Sequence, residues 1–266
     1  MLKFCSLYSG SSGNCLLVKS DTTNILIDAG VSCKKITTAL TDLSIDINEI
    51  AAILITHEHS DHVCGLPILS KKFNIPIYST LKTWKAIDNP NIQNKNSFKI
   101  GKEFIIGDLK IKPFSIPHDA IDPCGFNIFK DETKISIATD VGHMSPSVIK
   151  HLKDSSFVFL EANHDPEILK CCSYPYFLKQ RILGESGHLS NINAGQTICE
   201  LSKYGLQHVM LGHLSKENNF PELAYDTVVE VLNSNNINLS SLSLSIASRT
   251  EPGEFIEVLP TQKLAN

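Results

Sequence analysis

Three histidines and one aspartate lie within six positions of this chain, in residues 56–62, Thr-His-Glu-His-Ser-Asp-His. An apolar run at 53–55 precedes them and is typical of a buried strand. Because alternate side chains of an extended backbone leave the same face, His57 and His59 are predicted to point at one position. Asp61 and His62 follow in a turn and can point at a second position. Imidazole and carboxylate are ligands for zinc and other first-row divalent ions, so this stretch predicts a metal site.

Other acid–base or metal-competent residues also follow apolar runs, and each is placed at the end of a predicted strand. They are Asp28, His118, Asp140, Glu161 and His213. Strands alternate with helices along the chain, and α/β architectures collect functional residues at such strand ends. We therefore expect these side chains to gather around the metal motif. Asp28 is expected to orient a ligating histidine through its second ring nitrogen.

The elements that must position these residues are short. Helices are predicted near 33–43, with Ser32 as N-cap, and near 65–73, 81–87, 146–152, 192–204 and 221–232. Strands are predicted at 53–56, 97–100, 103–106, 109–116, 125–130, 134–138 and 157–160, and residues 88–96 as a polar loop. The Ser-Gly-Ser-Ser-Gly segment at 9–13 predicts a hairpin turn, with a phosphate-binding loop as the alternative.

Composition describes an ordinary globular protein of 266 residues, 42% hydrophobic and 20% charged, with a net charge of −4. That charge argues against non-specific nucleic-acid binding over the whole surface, although a local basic groove remains compatible with it. No apolar run reaches the roughly 20 residues of a membrane span, and the N-terminus lacks the features of a signal peptide. We expect a cytoplasmic protein with no membrane association and a single domain over residues 1–266.

The eight cysteines are scattered, apart from the adjacent pair Cys171 and Cys172, and contain no CxxC pair. We interpret them as reduced and mostly buried. Cys64 lies near the histidine motif and is expected to pack under the following helix.

Residues 56–62 resemble the HxHxDH signature of the metallo-β-lactamase superfamily, and His118, Asp140 and His213 follow in that signature's order. The resemblance covers essentially the whole chain. It implies an α/β fold (α+β in some schemes), a four-layer αβ/βα sandwich with a dinuclear metal site. By matching position, it implies that one ion is held by His57, His59 and His118 and the second by Asp61, His62 and His213, with Asp140 bridging.

Two divalent ions in such a site lower the pKa of a bridging water and stabilise negative charge on an electrophile, which predicts hydrolysis. The ions are expected to be zinc or manganese, and the ligand types leave both open. The metal motif leaves the substrate open among lactam, thioester, lactone and phosphodiester.

Glu161 and His188 favour phosphodiesters. Residues 159–163 and 187–190 resemble segments of RNase Z-type phosphodiesterases in which a glutamate and a histidine pair to protonate the leaving oxygen. The alternative is that Glu161 caps a loop and His188 only precedes a helix. His164 is either a residue that orients a ligand or a structural one, and His143 is expected to be structural or peripheral.

The spacing between motifs predicts a compact member of the superfamily. Only 21 residues separate His118 from Asp140, too few for the RNA-binding arm of RNase Z. The 72 residues between Asp140 and His213 leave no room for the inserted domain of β-CASP nucleases. Four segments, at 9–15, 139–142, 161–165 and 212–219, resemble the YycJ/WalJ group of bacterial DNA exonucleases, which implies 5′ to 3′ action.

We therefore expect a metal-dependent phosphodiesterase acting on nucleic acid, with DNA favoured over RNA. Its catalytic residues are expected to be Asp61, Glu161 and His188. Two alternatives remain at this point: a small-molecule hydrolase, such as a cyclic phosphodiesterase or a glyoxalase II-type thioesterase, and a non-catalytic metal-binding regulatory partner. The oligomeric state is not legible in the sequence.

Overall fold

The structure is a computed structural model that describes residues 1–260. It divides into two compact units. The first contains Met1–Ser115, Ala120–Lys130 and Ser248–Val258, and the second contains Ile116–Asp119, Asp131–Ala247 and the described residues from 259 onward. The single-domain organisation over residues 1–266 stays a prediction.

The strands of the described residues are short and numbered here in chain order. They are β1 (Leu2–Tyr8), β2 (Cys15–Lys19), β3 (Asn24–Ile27), β4 (Ile50–Leu54), β5 (Ile77–Thr80), β6 (Lys95–Phe98), β7 (Phe104–Ile106), β8 (Leu109–Ser115), β9 (Cys124–Lys130), β10 (Thr133–Ala138), β11 (Phe157–Glu161), β12 (His208–Gly212), β13 (Ser243–Ile246) and β14 (Ile256–Val258).

The helices are numbered in the same way. They are α1 (Cys33–Asp42), α2 (Ser60–Val63), α3 (Leu66–Phe73), α4 (Leu81–Ile87), α5 (Pro146–Leu152), α6 (Pro166–Cys171), α7 (Tyr176–Leu183), α8 (Asn191–Leu201) and α9 (Pro221–Ser234), with 3₁₀ turns at Ile47–Glu49 and Ser202–Tyr204. No helix within residues 1–260 is long and apolar enough to cross a membrane.

The first unit is built on a mixed sheet in the order β14-β1-β2-β3-β4-β5-β6. Strands β14, β1, β2 and β3 pair antiparallel, and β3 to β6 pair in parallel. The predicted turn at 9–13 connects the antiparallel pair β1 and β2. Strands β7, β8 and β9 form an antiparallel ladder in the same unit.

Helices α1 and α3 bury their apolar faces in the core of the first unit. Ile36, Leu40, Leu66 and Leu69 are fully buried there with strand residues such as Ile53. Helix α1 begins at the predicted N-cap, where the Ser32 hydroxyl accepts from a backbone amide of the first turn. Burial of one such aliphatic side chain contributes about 1.5–3 kcal/mol, so this face holds the βαβ connection that leads into the metal motif.

The second unit contains a parallel ladder in the order β10-β11-β12-β13. Strands β10 and β11 are buried at every position, as expected for a parallel sheet covered by helices, whereas the last strand, β13, is only partly buried. Helices α8 and α9 pack with fully or nearly fully buried faces that include Ile198, Leu201, Val228 and Leu232. Parallel pairing brings the carboxyl ends of β10, β11 and β12 to one edge.

Two strand predictions need correction. The strand predicted at 53–56 is β4, which begins at Ile50 and ends at Leu54, so His57 and His59 lie in the loop beyond it rather than on extended strand. The strand predicted at 97–100 is β6, which begins at Lys95 inside the predicted polar loop. As the last strand of its sheet, β6 pairs only with β5 and needs no continuous apolar run.

All eight cysteines are free thiols, as predicted. Their burial is lower than predicted, because Cys64 and Cys171 are exposed and Cys172 and Cys199 only partly buried. Cys64 does not pack under a helix: it follows the last residue of α2, and its thiol donates to the Gly30 carbonyl at 3.0 Å.

Candidate active site

The histidines of the 56–62 motif converge within the first unit. The ring centroid of His57 lies 4.6 Å from that of His59 and 4.1 Å from that of His62. The Asp61 carboxylate lies 3.5 Å from Nε2 of His62. The convergence arises from a turn rather than from strand alternation, because α2 begins at Ser60 directly after the two loop histidines.

Asp28 and Thr56 fix the orientation of two of these rings. The Asp28 carboxylate contacts Nδ1 of His62 at 2.8 Å. The sequence analysis predicted that Asp28 would orient a ligating histidine but did not identify which one. The same carboxylate accepts from the backbone amide and the hydroxyl of Thr56, both at 2.9 Å, and that hydroxyl lies 3.0 Å from Nδ1 of His57. Because a carboxylate only accepts, Nδ1 of His62 carries the proton and its Nε2 presents a lone pair.

The sequence analysis missed Asn14, which also contacts this cluster. Its side-chain amide lies 3.2 Å from Nε2 of His62, and its backbone amide donates to the Asp61 carbonyl at 2.8 Å. The chain passes so close here that a Cβ on Gly30 would meet the Asp61 carbonyl oxygen at 1.6 Å. Packing therefore requires glycine at position 30. The sequence signal that could have identified Asn14 is an asparagine placed directly after the Ser/Gly turn.

Glu161 is the centre of the cluster in the second unit. Its Oε1 accepts from Nδ1 of His188 at 2.8 Å and from Nδ1 of His213 at 2.7 Å. Its Oε2 accepts from the backbone amides of Val141 at 2.8 Å and Leu189 at 2.9 Å. The side chain is fully buried at the last position of β11, so four donors compensate one buried carboxylate. The sequence predicted the contact with His188 and missed the one with His213.

The ionised forms of Glu161 and His188 stabilise each other. Burial disfavours the Glu161 carboxylate, but the charges and hydrogen bonds of His188 and His213 outweigh it and lower the pKa of Glu161 to about 2. Burial also disfavours an imidazolium at His188, yet the Glu161 carboxylate raises the pKa of His188 above its ordinary value. A buried carboxylate with a depressed pKa holding a histidine with a raised one is the arrangement of an oriented general acid.

Asp140, His118 and His213 have the spacing of ligands around a common ion. Nε2 of His213 lies 3.5 Å and Nε2 of His118 lies 3.7 Å from Oδ1 of Asp140. These separations exceed hydrogen-bond length and are close to the roughly 3.3 Å between ligand atoms around a tetrahedral zinc with bonds of about 2.0–2.1 Å. Asp140, Glu161, His188 and His213 each offer one ligand atom within 4.8 Å of the others. The donor set of this unit therefore fits a divalent ion.

His118 is oriented for such a role by backbone. Its Nδ1 lies 3.1 Å from the Gly187 carbonyl, which leaves Nε2 facing Asp140. Burial lowers the pKa of His118 more than the nearby carboxylates, Asp140 first, raise it. The ring is thus kept in the neutral form that metal ligation requires.

A network of buried asparagines holds the segments that carry His188 and His213. The Asn163 side chain donates to the His213 carbonyl at 2.9 Å, and its backbone amide donates to the Leu189 carbonyl at 2.8 Å. The amides of Asn191 and Asn219 bond to each other reciprocally at 3.1 and 2.8 Å. Sequence reasoning missed this network because amide pairs between distant segments carry no local pattern.

The remaining histidines lie at the margin of the cluster. His143 is partly exposed and contacts Glu185 through that residue's carbonyl and carboxylate, which agrees with its predicted structural or peripheral role. His164 is buried, and its Nδ1 has no hydrogen-bond partner among residues 1–260. Burial lowers the pKa of His164 to about 4. Its backbone bridges to the 190–191 segment and so joins two of the segments of this unit.

Comparisons with known proteins agree with this chemistry. Residues 23–214 match the family described as "Beta-lactamase superfamily domain". The chain is 39% identical over 236 residues to "Exodeoxyribonuclease WalJ" of Streptococcus pneumoniae strain D39, covering 86% of this chain and 88% of that protein. It is 36% identical over 235 residues to "Exodeoxyribonuclease YycJ" of Bacillus anthracis, covering 87% and 89%.

In fold, the chain is similar to the crystal structure of the metallo-β-lactamase fold protein YhfI from Bacillus subtilis. The TM-score is 0.70 at 14% identity, over 95% of this chain and 98% of that chain. The fold class and the enzyme class predicted from the sequence are confirmed. The chain therefore belongs to the β-lactamase superfamily as a hydrolase of metallo-β-lactamase fold, and its relatives WalJ and YycJ are exodeoxyribonucleases.

Proposed function

We propose that this chain is a metal-dependent exonuclease that degrades DNA from the 5′ end in the cytoplasm. The observation that carries the proposal is the 2.8 Å hydrogen bond between the buried Glu161 carboxylate and Nδ1 of His188. Phosphodiester cleavage releases an alkoxide, a poor leaving group that needs a proton donor, whereas a thioester releases a thiolate, which can leave without one because its pKa is far lower. The names of the 39% and 36% identical relatives support DNA as the substrate.

The ligand assignment remains the one that the family resemblance implies. We assign His57, His59 and His118 to one ion. We assign Asp61, His62 and His213 to the other ion, with Asp140 as the bridge. When bound, zinc or manganese ions would supply Lewis acidity and an activated water. The support from this chain is the imidazole and carboxylate chemistry of the residues and the ligand-like spacing around Asp140.

The chain's own residues then divide the remaining work. Glu161 holds Nδ1 of His188, so the opposite nitrogen, Nε2, is the atom that gives its proton to the leaving oxygen. The same carboxylate holds Nδ1 of His213, which directs Nε2 of that ring toward Asp140. Asp61 acts as a ligand and as a catalytic residue, oriented by the helix start at Ser60.

A single set of assays tests this proposal against its alternatives. Purified protein with Mn²⁺ or Zn²⁺ is offered end-labelled duplex DNA, single-stranded DNA, RNA and a glutathione thioester. We expect DNA to be shortened from the 5′ end with release of small products, and the activity to be lost with chelator. Hydrolysis of the thioester without attack on DNA would establish the small-molecule hydrolase instead. Metal binding without turnover of any substrate would establish a regulatory protein.

A further inference from the structure

Two adjacent aromatic side chains at the start of α7 are exposed to solvent. Tyr176 is 77% exposed and Phe177 is 73% exposed. Among residues 1–260 no other two consecutive large apolar residues are exposed. Single exposed apolar residues are ordinary on protein surfaces, but two neighbouring aromatic rings form a patch that a binding partner can cover.

One cation close to these rings has no ion-pair partner among residues 1–260. Of the basic residues near them, Lys170 pairs with Glu167 and Arg181 pairs with Asp119, whereas Lys179 does not pair with a carboxylate. Lys179 follows Tyr176 by three positions and therefore lies on the same face of the helix. The Lys179 ammonium donates to the Lys170 carbonyl at 2.6 Å, and no carboxylate of residues 1–260 forms an ion pair with it.

The far end of α7 is fixed to the segments that carry the active-site histidines of the second unit. The Arg181 guanidinium forms a two-point ion pair with Asp119, the neighbour of His118. The turn after the helix leads directly to His188, whose backbone amide donates to the Ile182 carbonyl at 3.0 Å. Eight helical residues rise about 12 Å, so the exposed rings and the turn that leads to His188 lie at opposite ends of one short helix.

We propose that Tyr176, Phe177 and Lys179 form a binding surface for a single-stranded nucleic-acid segment of the substrate, on which bases stack and a phosphate is contacted. This inference rests on the proposed function. Single-stranded nucleic acid is bound by aromatic rings that stack on unpaired bases, with cations that contact the backbone. Tyr176 and Lys179 offer one of each on the same face of α7, and Phe177 adds a second exposed ring next to Tyr176 in the chain.

The test compares kinetic constants of the holoenzyme with Mn²⁺ on a labelled single-stranded 20-mer and on bis-p-nitrophenyl phosphate. The Tyr176→Ala/Phe177→Ala variant should raise KM for the 20-mer about 10–100-fold, the range for loss of base stacking, with kcat little changed. Bis-p-nitrophenyl phosphate is too short to reach the rings, so its hydrolysis should not change. Tyr225→Ala, which removes another exposed aromatic ring on α9, serves as the control and should leave both constants unchanged.

Two matched variants separate stacking from apolar contact. Tyr176→Phe/Phe177→Trp keeps both rings and should keep KM within about twofold of wild type, whereas Tyr176→Leu/Phe177→Leu keeps apolar surface and should behave like the alanine variant. Lys179→Gln should reduce the slope of log KM against log salt by about 0.7. A leucine variant with wild-type KM would overturn the stacking assignment.

Failure of this inference and failure of the proposed function give different results. If wild type cleaves bis-p-nitrophenyl phosphate but no nucleic acid, the exonuclease proposal is wrong and the surface has no such ligand. If wild type degrades the 20-mer and the alanine variant has an unchanged KM, the inference alone is wrong. A dimer that becomes a monomer on alanine substitution, measured by light scattering, would show a subunit interface and likewise overturn the inference.

Discussion

Replacing Glu161 by glutamine should disable the site without changing the size of the side chain. The carboxylate accepts four hydrogen bonds, two from imidazole Nδ1 atoms and two from the backbone amides of Val141 and Leu189. The backbone amides can only donate, so the glutamine oxygen must face them. Its NH₂ group then faces the rings of His188 and His213, which can accept at Nδ1 only by moving their proton to Nε2.

This tautomer change sets the expected magnitude. His213 would present an N–H instead of a lone pair at Nε2, and removal of such an orienting partner typically costs 10–100-fold in metal affinity. His188 would lose the carboxylate that raises its pKa, and with it a general-acid contribution of about 10²–10⁴ in rate. We therefore expect weaker metal binding by one to two orders of magnitude, and a fall in kcat of at least 100-fold at saturating metal.

Calorimetric titration of metal-free protein with Zn²⁺ measures the first effect, and turnover of single-stranded DNA at saturating Mn²⁺ measures the second. The control is Glu200→Gln, an exposed glutamate on α8 whose amide variant should match wild type in both assays. If Glu161→Gln binds zinc and turns over DNA within twofold of wild type, then the four-bond arrangement does not set the histidine tautomers.

Three further predictions concern single residues. Asp61→Ala should reduce metal-dependent DNA cleavage below about 1% of wild type, while the metal-free melting temperature moves by only a few degrees because the side chain is partly exposed. His188→Ala should slow DNA cleavage about 10²–10⁴-fold and hydrolysis of bis-p-nitrophenyl phosphate far less, because p-nitrophenolate needs no proton; equal losses on both substrates would refute the acid role. His164 is buried with a pKa of about 4 against roughly 6.5 in the unfolded chain. The contribution of neutral His164 to stability is therefore present above pH 6.5 and is lost as pH falls toward 4. Between pH 7.5 and 5.0, the free energy of unfolding of wild type should fall by about 2 kcal/mol more than that of His164→Asn. Denaturant titrations measure both, and parallel pH curves for the two proteins would contradict this prediction.

Residue type and position at strand ends were enough to predict the clusters of each unit. Asp28, Asp140 and Glu161 follow or end apolar strands. The fold itself seldom requires an ionisable side chain at such a position. A contact between Asp28 and one of the histidines was predicted on this basis, and the structure shows it with His62 at 2.8 Å. The pairing of Glu161 with His188 was predicted from the resemblance, and the structure shows it.

Contacts between distant segments could not be predicted in the same way. The second role of Glu161, with His213, joins residues 52 positions apart and has no spacing rule. Asn14 reaches His62 across 48 positions, and its effect depends on a close approach of backbone at Gly30. The strand alternation assumed for His57 was wrong because β4 ends earlier, and a loop can bring rings together without any period.

Three of the strand-end residues, Asp28, Asp140 and His213, adopt left-handed backbone with φ of 62°, 57° and 55°. This conformation costs a residue with a side chain about 1–2 kcal/mol, and glycine adopts it freely. Replacing one of these residues by glycine would therefore remove the free-energy cost of the left-handed backbone, which partly offsets the lost side-chain contacts. Glycine at any of these three positions should therefore destabilise the fold by less than the lost side-chain contacts alone would.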